Sequence, residues 1–282
     1  MPIAYLNGDY LPLDKASIPL EDRGFLFADG IYEVLRFYHG RPFRLQEHLE
    51  RLNHSIEGTR LPRIPDLDQL AEIIEQVRTL NDLDDAEAYI GYTRGPEHPR
   101  SHPFPVQAHP TLFVMPLPVH PLSADTFERG VPAITHPDLR WARCDIKSIM
   151  LLPNVLAKQQ ARERGAHEAI LVRDGIVTEG STTNMFAVID GILRTHPGNQ
   201  RILGGISRLV TLELANEMGL AVQQEAFTVE EMFGCQELFL TSTTSEVLAI
   251  TSVDGQTIAN GVPGPITQQL LAGFRRATSG GV

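Results

Sequence analysis

The sequence predicts an α+β fold in two sub-domains built on antiparallel sheets, and three observations predict it. Short apolar runs are joined by Asn-Gly and Asp-Gly pairs, the dipeptides of tight hairpins. Helical periodicity appears in only a few stretches, and strands and helices do not alternate in a regular βαβ rhythm. A proline-rich connection, "PLPVHPL" at 116–122, separates two regions of different pattern. The expected division is a small N-terminal α/β domain over 1–117, a linker over 118–122 and a larger domain over 123–282, built on an antiparallel sheet.

The elements follow in order. "IAYL", Asn7-Gly8 and "DYLPL" read as a hairpin, because Asn-Gly supplies the positive φ angles of a type I′ turn. "GIYEVLRFYHGRPFRL" reads as a second pair of strands. Leu45, Leu49, Leu52 and Ile56 then recur at helical spacing, and Leu67, Leu70, Ile74 and Val77 mark another amphipathic helix. "AEAYIGYTRG" and "TLFVMPL" are strands that bracket a loop with prolines at 96, 99, 103 and 105. Beyond the linker, Leu139–Leu152 is apolar enough to predict a core strand. "NVLAKQQARERG" is a helix stopped by Gly165, and four strands follow around Asp174-Gly175 and Asp190-Gly191. A last helix is expected over Ser207–Met218.

Composition narrows the function classes. With 42% hydrophobic residues among 282, the chain can bury a full core. Its 24 Lys and Arg against 35 Asp and Glu leave a formal charge of -11, which repels nucleic acid and anionic membrane. No apolar run approaches the ~18 residues of a membrane span, and the start shows no basic and then apolar leader. A cytoplasmic protein is expected. Cys144 and Cys235 are too few for a disulfide framework and have no metal-ligand spacing.

Lys147 is the residue that asks for an explanation. It stands between Ile146 and Ser148 in an apolar segment, where it is either the solvent-facing member of an alternating strand or a half-buried amine that loses its proton easily and can form a Schiff base. Four other places bear on it. In "TEGSTTN", Glu179 is a surface acid or faces something positive. In "GGIS", two glycines run into a helix at Ile206 and Ser207, a flexible start or a set of free N–H groups for a phosphate. "TSTTSE" places five consecutive hydroxyl residues, Thr243 among them, after an apolar strand. Arg51 shares a helix face with His48 and Ser55, and either meets water or grips a phosphate. Lysine, carboxylate, phosphate donors and arginine together are the needs of pyridoxal 5′-phosphate.

On the stretches "DRGFLFADGIYEVLRFYHGRPFRLQEHLERL", "RCDIKSIMLLPNVLAKQQA", "EAILVRDGIVTEGSTTNMFAV" and "LFLTSTTSE", the chain resembles the fold-type IV pyridoxal-phosphate enzymes: branched-chain aminotransferases, D-amino acid aminotransferases and aminodeoxychorismate lyases. The resemblance runs from about residue 3 to residue 270, and it implies two domains, the larger C-terminal one with a barrel-like core. It implies that Lys147 is the Schiff-base lysine, Glu179 the acid that keeps the pyridine nitrogen protonated, and Arg51 the arginine on the phosphate. Ile206, Ser207 and Thr243 match the phosphate donors, and Leu203 the aliphatic residue packed on the ring. A homodimer is implied as well.

Within that class the place of the substrate α-carboxylate decides the hand of the product. Arg100 and His102, in the proline-stiffened loop, together with Tyr32, resemble the carboxylate trap of D-amino acid aminotransferases, a pair that L-branched-chain relatives do not show. The expected activity is transamination between D-alanine or D-glutamate and 2-oxo acids such as 2-oxoglutarate, with a branched-chain L-aminotransferase or the lyase as alternatives. The loop departs from the family pattern by the extra His98 and two further prolines. A metal hydrolase on His98, His102 and His109 is disfavoured, because the intervening prolines forbid a helical ligand pair and no acid is spaced with them. A non-catalytic binding protein on the same scaffold would be expected to lack the lysine or the glutamate.

Overall fold

The computed structural model describes residues 1–64 and 66–280. Its contacts divide the chain into two compact units, residues 1–119 with 146–150, and residues 120–145 with 151 onward.

The first unit is a six-stranded antiparallel sheet in the order β2-β1-β6-β5-β3-β4. The strands are β1 (Ile3–Leu6), β2 (Asp9–Pro12), β3 (Gly30–Tyr38), β4 (Arg41–Pro42), β5 (Ala86–Thr93) and β6 (Thr111–Pro118); the helices are α1 (Arg23–Phe27), α2 (Leu45–Thr59) and α3 (Leu67–Leu80). Asn7 and Gly8 both take positive φ, at 48° and 112°, as the hairpin reading requires. β3 alternates: Ile31, Leu35 and Phe37 are fully buried on the face that meets the apolar stripe of α2, and Glu33 shares that face. Tyr32 and Val34 lie on the other. There Tyr32 stacks on Tyr89 and Tyr89 on Phe113, with centroids 5.3 and 5.8 Å apart. Gly91, opposite Tyr32, has to be glycine, because a Cβ there would come within 2.2 Å of the Phe113 ring.

The second unit runs α4 (Ala124–Arg129), β7 (Val131–Pro137), α5 (Leu152–Glu163), β8 (Glu168–Arg173), β9 (Ile176–Gly180), β10 (Asn184–Ile189), β11 (Ile192–Thr195), α6 (Ile206–Glu217), β12 (Val222–Gln223), α7 (Val229–Gly234), β13 (Glu237–Ser242), β14 (Glu246–Val253), β15 (Gln256–Thr257) and α8 (Pro265–Thr278). Its sheet follows the path β12-β11-β10-β13-β14-β7-β8-β9 and curls until β9 meets β10. One side is filled by a cluster that includes Ile170, Met185, Leu240, Leu248 and Phe227. On the other side Phe186 and Phe239 stack at 5.0 Å.

Two expectations change. The sheet of this unit is not wholly antiparallel: β11–β12, β14–β7 and β7–β8 pair in parallel, and β7–α5–β8 is a crossover. The sequence hides it because a long non-helical segment precedes α5. That segment, read as a strand over 139–152, consists of turns and bends with one isolated bridge, Ile31 to Ser148. Its apolar character reflects burial of Cys144 and Ile146 and not a ladder, for its hydrogen bonds are spread over several partners.

Candidate active site

In the first unit Lys147 is held by its backbone. Tyr32 N–H donates to the Lys147 carbonyl at 2.9 Å, and Lys147 N–H donates to Ser55 Oγ on α2 at 3.1 Å. The side chain is half-buried, with Nζ 4.3 Å from the centre of the Tyr32 ring. His48, Arg51 and Ser55 stand at spacings of three and four on one face of α2, the first two meeting Glu33 of β3 and Ser55 meeting the Lys147 amide. Arg51 lays Nε and Nη2 on the two oxygens of Glu33 at 2.7 and 2.8 Å, and His48 Nδ1 is 2.8 Å from Glu33 Oε2. Burial alone would raise the Glu33 carboxyl, but the Arg51 guanidinium and then His48 hold it well below the usual carboxylate range. Burial lowers the His48 pKa against the pull of Glu33, so a neutral ring donating from Nδ1 fits this arrangement.

Arg100 and His102 form a second group in the same unit. Both are exposed, and both lie on Phe27 of α1: the Arg100 guanidinium is 4.3 Å from that ring's centre and the His102 ring 5.1 Å. Among the described residues no recorded hydrogen bond or ring contact joins this pair to Tyr32 or Lys147.

In the second unit Glu179 is a buried carboxylate at the end of β9. Oε2 accepts from Asn184 Nδ2 at 2.9 Å and from Leu203 N–H at 3.0 Å, and Oε1 accepts from Arg140 Nη1. Arg140 is anchored in turn on Asp138, Nε to Oδ1 and Nη2 to Oδ2, both at 2.9 Å. Burial pushes the Glu179 carboxyl up to about 7, with Arg140 and the Leu203 amide pulling the other way. The turn that follows Glu179 is tied to a second buried acid, Glu168, whose carboxylate takes the hydroxyls of Ser181, Thr182 and Thr183.

Leu203 is half-buried beside Glu179, its carbonyl accepting from Asn184. Ile206 and Ser207 open α6, whose N-cap is Gly205 and carries no side-chain cap. Thr243 sits in the turn between β13 and β14. Glu33, Arg140 and Asn184 are the polar partners that sequence reasoning did not single out, and Ser55 was marked only as a neighbour of Arg51 on its helix face. Glu33 had a signal: an acid at a core-facing position of a strand, opposite a helix face carrying His48 and Arg51. Arg140 and Asn184 had none beyond nearness to Lys147 and Glu179. Among the described residues no cluster of three or more His, Cys, Asp or Glu could hold a metal ion.

The model of the amino-transferase class IV family matches residues 30–253. The chain belongs to the class IV aminotransferases. A D-alanine aminotransferase of Bacillus licheniformis is 40% identical over 271 residues, covering 96% of this chain and 95% of that protein. One from Staphylococcus epidermidis is 39% identical over 276 residues, 98% of each. Among solved structures, the branched-chain aminotransferase of the thermophilic archaeon Thermoproteus uzoniensis, with norvaline, superposes with a TM-score of 0.88 at 25% identity, over 99% of this chain and 95% of that one. The branched-chain enzyme of Escherichia coli gives 0.89 at 25%, over 100% and 95%. The fold of this aminotransferase is thus shared across enzymes named for different substrates, so its own side chains must set the choice.

Proposed function

We propose that this aminotransferase moves an amino group between a D-amino acid, such as D-alanine or D-glutamate, and a 2-oxo acid such as 2-oxoglutarate, with pyridoxal 5′-phosphate as carrier. The observation that carries the choice of hand is the Arg100 and His102 pair, gathered on one aromatic ring in a chain about 40% identical to D-alanine aminotransferases along nearly its whole length.

The residues present fit the carrier. A phosphate needs unspent donors, and the first turn of α6, at Ile206 and Ser207, is left uncapped by Gly205 while Thr241 Oγ1 on the neighbouring β13 is buried with no partner. Thr243 and Arg51 complete the phosphate set in this reading, with Glu33 fixing the plane of the Arg51 guanidinium. A pyridine nitrogen suits the buried Glu179, and Leu203, fixed by its backbone to the same carboxylate, is the aliphatic wall of the ring. When bound, the carrier supplies an electrophilic carbon for the amino group and a ring that accepts the electrons of the α-carbon.

The protein supplies the rest. The Lys147 amine would be the covalent anchor and the base that takes the proton from the substrate α-carbon; the carbon to which it would pass that proton belongs to the carrier and not to the substrate. Its backbone hydrogen bonds to β3 and α2 keep that amine on one face. Glu179 keeps a positive charge on the pyridine nitrogen, which is what lets Lys147 remove a weakly acidic proton. Arg100 and His102, with Tyr32, grip the α-carboxylate and thereby decide which hand of amino acid presents its α-hydrogen to Lys147. We further propose a cytoplasmic homodimer. Both cysteines are buried and unpaired, as a reducing compartment keeps them, and α5 exposes Leu152, Val155 and Leu156 on the side away from its buried alanines.

The test is the first half-reaction followed spectroscopically. D-Alanine is expected to convert the enzyme and L-leucine is not. Arg100→Ala removes a charge-assisted contact of roughly 1.5–3 kcal/mol and is expected to raise the apparent constant for D-alanine ten- to a hundredfold, by about the same factor for 2-oxoglutarate. A preference for L-leucine would replace this reading with the branched-chain one.

A further inference from the structure

The Asp22-Arg23-Gly24 step before and at the start of α1 takes no part in the chemistry described so far, yet it is among the most heavily bonded places in the molecule. Asp22 is fully buried. Its Oδ1 caps α1 through Gly24 N–H at 2.8 Å, and its Oδ2 accepts from Thr93 Oγ1 at 3.1 Å and from Thr111 Oγ1 at 2.6 Å. Thr93 is the last residue of β5 and Thr111 the first of β6, so one carboxylate ties together the two roots of the 94–110 loop. Gly24 permits this closeness, since a Cβ there would come within 2.4 Å of Thr93 Cγ2.

Arg23 reaches the middle of the same loop. Its guanidinium is anchored by Nε on Asp29 Oδ2 at 2.9 Å. From there Nη1 donates to Glu97 Oε2 at 2.6 Å and to the carbonyls of Ser101 and Pro103 at 2.5 and 3.2 Å, and Nη2 donates to the His102 carbonyl at 3.0 Å. Three consecutive carbonyls, those of residues 101–103, thus converge on one buried cation; His102 stands within this stretch and Arg100 directly before it. Phe27, one turn along α1 from Arg23, is the ring on which both lie. A five-donor planar fork is needed for this; an ammonium could not span an acid on one side and three carbonyls on the other.

We propose that Arg23, with Asp22 beneath it, is the positioning residue of the substrate-carboxylate loop: it holds the 97–103 backbone so that Arg100 and His102 are set before substrate arrives. The proposal rests on the reading of those two residues as the carboxylate grip. Arg23 itself touches no substrate. It acts by sparing the substrate the cost of ordering the loop, so its loss falls on binding and not on proton transfer.

The experiment uses holoenzyme and the variants Arg23→Lys, Arg100→Ala and the double variant. Arg23→Lys is expected to raise KM for D-alanine about tenfold, with kcat within about twofold. The inhibition constant of propionate, a carboxylate with no amino group to react, is expected to rise by the same factor. Trypsin should cut after Arg100 faster than in the unsubstituted enzyme. In the double variant the two KM effects should not multiply, because Arg23 works through Arg100. An Arg23→Lys enzyme that melts earlier or turns over more slowly with both constants unmoved would show a purely structural residue, and multiplying effects would show that it acts elsewhere; either overturns the proposal. If Arg100→Ala itself leaves KM for D-alanine unchanged, the carboxylate reading falls first and the proposal with it. Should Arg23→Lys fail to fold, Glu97→Gln decides: it keeps Asp29 and the carbonyls but weakens one anchor, and the same two constants must rise together by a few-fold or the proposal is wrong.

Discussion

Glu33 shows how a single carboxylate can be more deeply committed than the residues it serves. It is 1% exposed and meets Arg51 through both oxygens and His48 through one. Breaking such a buried pair leaves the arginine charge without its counterpart, so Glu33→Gln is expected to cost about 3 kcal/mol at pH 7. For a chain of this size that lowers Tm by roughly 6–12 °C. The pH dependence has a definite sign. Because the folded-state pKa of Glu33 lies below its ordinary 4.5, its contribution is fully present above that value and is lost as acid is added and pH falls toward the folded pKa. The gap in Tm between the unsubstituted protein and Glu33→Gln should therefore be widest near neutrality and narrow below about pH 4.5. A gap that stayed constant down to pH 3 would show that the Glu33 charge is not what the pair contributes.

At the scale of the element, α2 is the device that places Lys147. One face packs Leu49, Leu52 and Ile56 in the core, while His48, Arg51 and Ser55 lie along the neighbouring stripe. Ser55 matters because Lys147 lies in no ladder: its N–H has Ser55 Oγ as its recorded partner, and its carbonyl has Tyr32. Ser55→Ala leaves that amide without its acceptor and is expected to cost about 1–3 kcal/mol, or roughly 2–12 °C in Tm. Because the loosened backbone carries the reacting amine, the half-reaction with D-alanine should slow as well, whereas Ser55→Thr should restore both. Stability lost with no change in the half-reaction would separate α2 from the placement of Lys147. The helix was legible from its apolar spacing, and so was the polar face on which Arg51 stands. The form of the Lys147 segment was not, because buried coil and buried strand share the same apolar composition and differ only in where the backbone hydrogen bonds go.

For the molecule as a whole, hairpins marked by Asn-Gly and Asp-Gly and helices marked by their stripes were legible, since local turn chemistry and periodicity act within a few residues. The parallel pairings of β7 with β8 and β14 were not, for they join segments far apart in the chain. The same limit applies to assembly. α5 turns Ala157 and Ala161 inward and leaves Leu152, Val155 and Leu156 at 67, 58 and 58% exposure on its opposite side. An apolar stripe on the outer face of a helix is costly in water and is a docking surface when a partner covers it. With a formal charge of -11 per chain, two copies repel at long range, so the apolar contact has to outweigh that repulsion and is favoured by added salt. Light scattering is therefore expected to give twice the 31.2 kDa of the chain. Val155→Glu with Leu156→Glu places two further negative charges on each stripe and is expected to yield monomers at micromolar concentration, with the far-ultraviolet circular dichroism kept. Dimers that survive this double substitution would move the interface away from α5.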